Sequence, residues 1–236
     1  MRILFVFILS GFFSNLWAQQ KPSLILGDGY YVLPTQLFVG ELIFTKEQFI
    51  APRWSISYSL GYKFPIKGQD SIFTGTGAFA SYEIFTMTNR NLNGIYLSLA
   101  PSLYLKKRRR YYFQAEIFNR FLWLNNKHIT YSLSRAGFSA RRTERINITG
   151  IKFLYGHHKH GKMNGKRFLN AKLYYGFSVR MIAFWYENVD KTYYRTATET
   201  QASYVPYEKE RGTTLMPFGH IGFKIGLAKP VANVFD

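Results

Sequence analysis

The densest set of metal-ligating side chains in the chain is His157, His158 and His160, in the stretch GHHKHGKMNGKR. Neutral imidazoles at this spacing could hold a divalent cation. Adjacent histidines in a turn rich in Gly and Lys are a poor template, however, and Lys159, Lys162, Lys166 and Arg167 would repel the ion. The expectation is a solvated basic turn, with no metal and no cofactor. Cysteine is absent, which removes disulfides, thiolate metal sites and a cysteine nucleophile. A different chemistry is offered by SRAGFSARRTER, which carries Arg135, Arg141, Arg142 and Arg145. Guanidinium groups grip phosphate oxygens bidentately, so these four are expected to contact lipid phosphates.

The whole chain leans the same way. Its 236 residues contain 31 Lys+Arg against 13 Asp+Glu, a formal net charge of +18. Such a balance implies anionic partners. The first residues decide which ones. Arg2 precedes an apolar run, Ile3 to Phe13, followed by SNLWA. That is the pattern of an export signal cut after Ala18, leaving an N-terminal segment over 19–34. The apolar run is too short to cross a bilayer as a helix, which takes about 20 residues. An exported chain meets phospholipid and lipopolysaccharide phosphates rather than nucleic acid. An N-terminal core strand or anchor is the alternative reading of the same residues.

The elements that must position these groups are strands. In RWSISYSLGYKF, Trp54, Ile56, Tyr58, Leu60, Tyr62 and Phe64 alternate with Ser55, Ser57, Ser59, Gly61 and Lys63. The same period of two runs through 94–105, 168–186 and 214–228, and marks strands between two unlike environments. Weaker copies extend the set to eight: 35–45, 53–64, 76–87, 94–105, 111–124, 146–155, 168–186 and 214–228. A barrel over 35–228 with a tail over 229–236 follows. With its start in the periplasm, the long connections 125–145 and 187–213 would be external loops. The second carries Tyr193, Tyr194, Tyr204 and Tyr207, the kind of side chain found at recognition surfaces.

A soluble, lipocalin-like barrel with its apolar face inward would show the same alternation. Here the apolar face is bulky throughout, while the opposite face is rich in Ser, Gly, Ala and Asn. Aromatics also sit near strand ends: Trp54 and Phe64, Tyr111 and Trp123, and Trp185. That matches aromatic girdles at two membrane interfaces, with the apolar face toward lipid. The interior would then hold Glu41, Glu83, Glu116, Arg120, Lys152, Lys172, Arg180 and Lys224. Eight strands enclose a space that side chains can fill, so these charges should pair into a plug. A narrow anion path is the alternative.

These features resemble the small eight-stranded outer-membrane β-barrels of the OmpA/OmpX type. The last strand adds HIGFKIGL, similar to the barrel-assembly signal, with His220, Gly222, Ile225 and Leu227 at the key positions. The resemblance implies an all-β, antiparallel up-and-down transmembrane barrel in the bacterial outer membrane, inserted by the barrel-assembly machinery. Some small barrels modify lipid A. The palmitoyltransferase type pairs a His with Asp-Ser; here Asp70-Ser71 has no preceding His. The deacylase type uses His-x-Ser with a Glu; His128, Thr130 and Glu144 come closest, without the serine. The expectation is therefore a non-enzymatic structural or interaction protein acting through its long external connections, toward lipopolysaccharide or an envelope or extracellular protein partner. A lipid A enzyme, a small anion-selective pore and a soluble binding protein are the alternatives.

Overall fold

A computed structural model describes residues 25–37, 40–65, 92–105, 110–132, 137–163, 167–195 and 200–231. The described residues are almost entirely strand: β1 (Ile25–Val32), β2 (Glu41–Ala51), β3 (Trp54–Lys63), β4 (Asn93–Tyr104), β5 (Tyr111–Ser132), β6 (Gly137–Met163), β7 (Arg167–Arg195) and β8 (Thr200–Val231). One short helix, α1 (Pro34–Leu37), joins β1 to β2. Each strand pairs antiparallel with the next, and β8 returns to β1, so the sheet closes into an eight-stranded barrel.

The register fixes its shape. A row of directly paired residues starts at Val32 and runs through Phe44, Leu60, Leu97, Asn119, Thr149 and Met181 to Leu215. Val32 itself pairs with Ile225 on β8. The circuit therefore closes ten residues along from Leu215. Such a stagger tilts strands by about 35–45° to the barrel axis.

Alternation sorts the faces. On β3 the serines Ser55 and Ser57 and also Lys63 are buried, whereas Trp54, Tyr58, Leu60 and Tyr62 are exposed. The outer wall continues with Phe44, Leu97, Leu99, Phe113, Ile117, Phe153, Tyr175, Phe177, Met181 and Leu215. On β3 the bulky apolar side chains thus point out and the serines in, as expected. The interior also holds an apolar layer around Ile43, Leu122, Ile146, Ile148 and Ile182, which the sequence reading did not anticipate.

Narrowness inside is met by pairing large residues with glycine. One row runs Tyr104, Tyr112, Gly156, Tyr174, Gly222 across β4 to β8. A Cβ on Gly156 would come within 2.1 Å of the Tyr112 ring, and one on Gly222 within 2.5 Å of the Tyr174 hydroxyl. The rings lie over their glycine neighbours, the alternation of large and small that a tight barrel needs.

Several expectations are corrected. Among the described residues the strands number eight, but they are differently drawn. Strand β1 was not foreseen, because ILGDGYYV is interrupted by two glycines and an aspartate. The proposed strand 35–45 is in part α1: Pro34 presets a helical φ, Gln36 donates its N–H to Leu33, and Gly40 turns the chain with φ 73°. Strand β2 then runs on to Ala51. The barrel thus spans 25–231 rather than 35–228. The proposed strand 76–87 lies outside the described residues.

The largest correction concerns the long connections. Most of 125–145 and 187–213 is strand, not loop, and so is most of the basic stretch 156–167. Strand β4 begins at Asn93, opposite Trp123. Beyond that rung β5 to β8 continue together as a four-stranded sheet. Both of its faces carry polar groups, so no hydrophobic alternation marks it in the sequence. Asn126 (φ 43°) and Asp190 (φ 54°) sit in this part, Asn126 where the β5–β6 ladder slips. Both residue types tolerate the left-handed region that a bulge uses.

Candidate functional site

The barrel interior and the rim of its outer wall are the two places where functional groups gather. Inside, β2 and β7 approach across the lumen. Lys172 Nζ donates to Glu47 Oε2, and Ser55 Oγ and Tyr104 OH each donate to Glu47 Oε1 at 2.7 Å. Lys172 also donates to the Tyr104 hydroxyl at 2.7 Å. Higher up, Lys152 Nζ is 2.6 Å from Glu116 Oε1 and 2.7 Å from Tyr96 OH, which itself donates to Glu116. Gln114 closes the other carboxylate oxygen at 3.2 Å. Arg120 and Glu41 form a third pair at 2.6 Å. Glu47 and Glu116 are thus each satisfied by a cation from another strand together with hydroxyl or amide donors, the condition for tolerating buried charge. Glu41 instead relies on Arg120 at one oxygen, and its Oε1 is buried with no hydrogen-bond partner among the described residues.

Of the expected interior charges, Glu41, Glu116, Arg120, Lys152 and Lys172 are paired in this way. Lys224 is buried, its ammonium 5.9 Å from the Tyr174 ring centre. Glu83 lies outside the described residues. Glu47 was missed because the strand was ended too early; continuing the odd-numbered inward positions past Thr45 would have found it. His158 was assigned to a solvated turn and is in fact buried, near the rings of Tyr31 and Tyr104. His157 faces outward against Tyr111, with ring centres 4.9 Å apart. Neighbouring histidines on opposite faces of a strand cannot share an ion, and no cluster able to hold a metal occurs among the described residues.

Arg180 makes a further interior contact. Its Nε donates to Ser178 Oγ at 3.0 Å and its Nη2 to His220 Nε2 at 3.0 Å, while Ser178 Oγ is 2.8 Å from the same imidazole nitrogen. By distance this is a hydroxyl beside a base. A guanidinium only donates, so Nε2 already serves as an acceptor for Arg180 and is poorly placed to take the serine proton. The other hydrolase-like set is not assembled. His128 and Thr130 lie on the exposed face of β5, whereas Glu144 is buried on the inner face of β6. Asp70-Ser71 lies outside the described residues.

The four arginines expected at phosphate separate. Arg142 turns inward, 3.0 Å from Glu144 and over the ring of Tyr186 at 3.9 Å. Arg141 is outside but paired with Asp190 at 2.6 Å. Arg135 lies outside the described residues. Arg145 alone faces the outer wall, its Nη1 donating to the carbonyls of Leu124 (3.0 Å) and Glu144 (2.9 Å). It sits in a row of direct partners, Trp123, Arg145, Trp185 and Arg211, across β5 to β8. On β8, His220 and Gly222 face inward, Ile221 is 82 % exposed, and Ile225 and Leu227 are half-buried.

Above that row the sheet extension carries its own charges. Lys191 pairs with Glu208 at 2.7 Å, and Asn188 donates to the same carboxylate at 2.6 Å. Burial would raise the Glu208 carboxyl, but the Lys191 and Asn188 hydrogen bonds outweigh it and hold it below its ordinary value. Hydrogen bonds from Arg141 and Tyr204 lower Asp190. Glu144 goes the other way: burial lifts it to about 6 against the pull of Arg142. Of the tyrosines expected in an external loop, Tyr204 and Tyr207 are exposed on β8, bonded to Asp190 and Glu187. Comparison with protein-family models, with curated proteins and with solved structures gives no match.

Proposed function

We propose that this chain is a bacterial outer-membrane barrel with a side-chain-filled interior, acting as a structural or interaction protein through the sheet that β5 to β8 raise beyond the barrel. One observation carries the reading: the faces are inverted, with bulky apolar side chains outside and paired charges inside. On β7 the outward apolar run extends from Leu173 to Trp185. At about 3.3 Å per residue and a tilt near 40°, that is about 30 Å along the axis, close to the roughly 25 Å apolar band of such barrels. A soluble barrel with this wall would present a contiguous apolar surface far larger than monomers tolerate.

In this reading the rows near Trp54 and Tyr111 lie at the periplasmic interface and Trp123 and Trp185 at the outer one. The last strand would present Gly222, Ile225 and Leu227 to the barrel-assembly machinery, and the extension would face the outside with Tyr204 and Tyr207. The filled lumen favours a plugged barrel over an anion path. The test is heat-modifiable migration of the protein from isolated outer membranes. An unboiled band displaced from the boiled one supports the reading; a soluble periplasmic protein with no shift overturns it.

A further inference from the structure

The row Trp123, Arg145, Trp185, Arg211 stands where the apolar wall ends. The next outward rung below it is Asn147, Ala183 and Thr213, and the one below that carries the exposed Met181 and Leu215; above it the outward positions are Thr143, Glu187 and Lys209. Arg145 and Arg211 are on β6 and β8, with Trp185 of β7 between them. Two strand spacings put their backbones about 10 Å apart, within reach of two guanidinium groups converging on one anion. The two carbonyls that accept from Arg145 Nη1 hold that guanidinium by one corner. The Arg211 side chain is exposed beside Trp185. Lys209 adds a third cation, 5.8 Å from the Trp185 ring centre. The nearest outward acid, Glu187, accepts from Tyr207 at 3.3 Å. A shallow hollow of about 510 Å³ lies here, lined by Phe121, Arg145, Asn147, Trp185, Arg211 and Thr213.

Resting on the membrane reading above, we propose that Arg145 and Arg211, astride Trp185, clamp the phosphate of a phosphorylated amphiphile whose acyl chains lie against Met181 and Leu215. The occupant follows from charge and level. Two guanidinium groups suit a phosphomonoester, the indole suits the interface, Asn147 and Thr213 on the rung directly beneath suit the polar linkage of a headgroup, and Met181 and Leu215 on the rung below that suit hydrocarbon. Arg141, held by Asp190 further out, is not part of the clamp.

The test uses the full mature chain, folded in detergent and checked for heat-modifiable migration, with lipid retention read by native mass spectrometry. The probes are phosphatidate, phosphatidylcholine and inorganic phosphate. Wild type is expected to retain phosphatidate in preference to phosphatidylcholine. The R145Q/R211Q double variant should lose that preference by roughly tenfold or more, since two charge-assisted contacts are removed. R141Q should keep it. Equal retention of both lipids by wild type, or an unchanged preference in a heat-modifiable double variant, overturns the clamp while leaving the barrel reading intact. Displacement of phosphatidate by inorganic phosphate at about millimolar concentration, where weak anion sites fill, would overturn the amphiphile as ligand. A chain that shows no heat-modifiable form and retains no lipid removes both readings together.

Discussion

Lys172 on β7 and Glu47 on β2 meet across the barrel interior, 125 positions apart in the chain, with Ser55 and Tyr104 completing the carboxylate's hydrogen bonds. The contact ties opposite parts of the wall and fills the lower lumen with polar atoms that need one another. Either charge alone would be stranded in a space with little water.

Removing one partner should therefore cost more than removing both. Glu47→Gln or Lys172→Met is expected to destabilise by about 3–5 kcal/mol, the loss typical of a broken buried pair. The double variant should recover a large part of that. Urea unfolding midpoints in vesicles, followed by loss of the heat-modifiable band, measure all three. A single variant as stable as wild type would show that the pair does not hold the wall.

The Tyr and Gly row gives a steric prediction. Gly156→Ala places a methyl group 2.1 Å from the buried Tyr112 ring, which already packs against Tyr104. The ring must move, and overpacking of this kind costs about 1–3 kcal/mol. Gly219→Ala, where nothing lies within 4 Å, should be nearly silent. The difference in unfolding midpoint between the two variants is the measurement.

A pH dependence follows from Glu144. Its folded carboxyl titrates at about 6, above the ordinary value of 4.5, because burial disfavours the charge. The folded state then binds the proton more tightly than the unfolded chain, so this group's contribution falls as pH rises from about 4.5 to 6 and stays low above that. The size is on the order of 2 kcal/mol. Glu144→Gln lacks the titration, so its stability relative to wild type should rise by that amount between about pH 4 and about pH 7, on either side of the two carboxyl values. A relative stability that does not change over this range would dismiss the assignment.

The interior arrangement also predicts electrical silence. Tyr104, Tyr112, Tyr174 and the ion pair of Glu47 fill the lower lumen and the ion pair of Glu116 crosses the middle. Wild-type protein in a planar bilayer should show no steady conductance steps. Regular, anion-selective steps would restore the narrow pore as the better reading.

Much of the barrel was legible in the residues. The side-chain period of a strand is two, and Trp54 to Lys63 alternates so strictly that both faces can be assigned without coordinates. The same rule places Glu116, Arg120, Lys152, Lys172 and Arg180 on the inner face. It failed where both faces carry polar side chains. Residues 125–132, 137–144, 186–195 and 200–210 have polar groups on both sides, so they read as loops although backbone pairing makes them strands.

The sequence by itself determined the all-β class, the period of the wall and which side chains share a face, because those are local consequences of backbone geometry. Only the tertiary structure decided partners. That Glu47 meets Lys172, that Arg142 turns in toward Glu144 while Arg145 stays out beside Trp185, and that His157 and His158 part company all depend on register and on the ten-residue stagger at closure. Register is a collective property of eight strands, and a one-residue slip would exchange every inner group for an outer one.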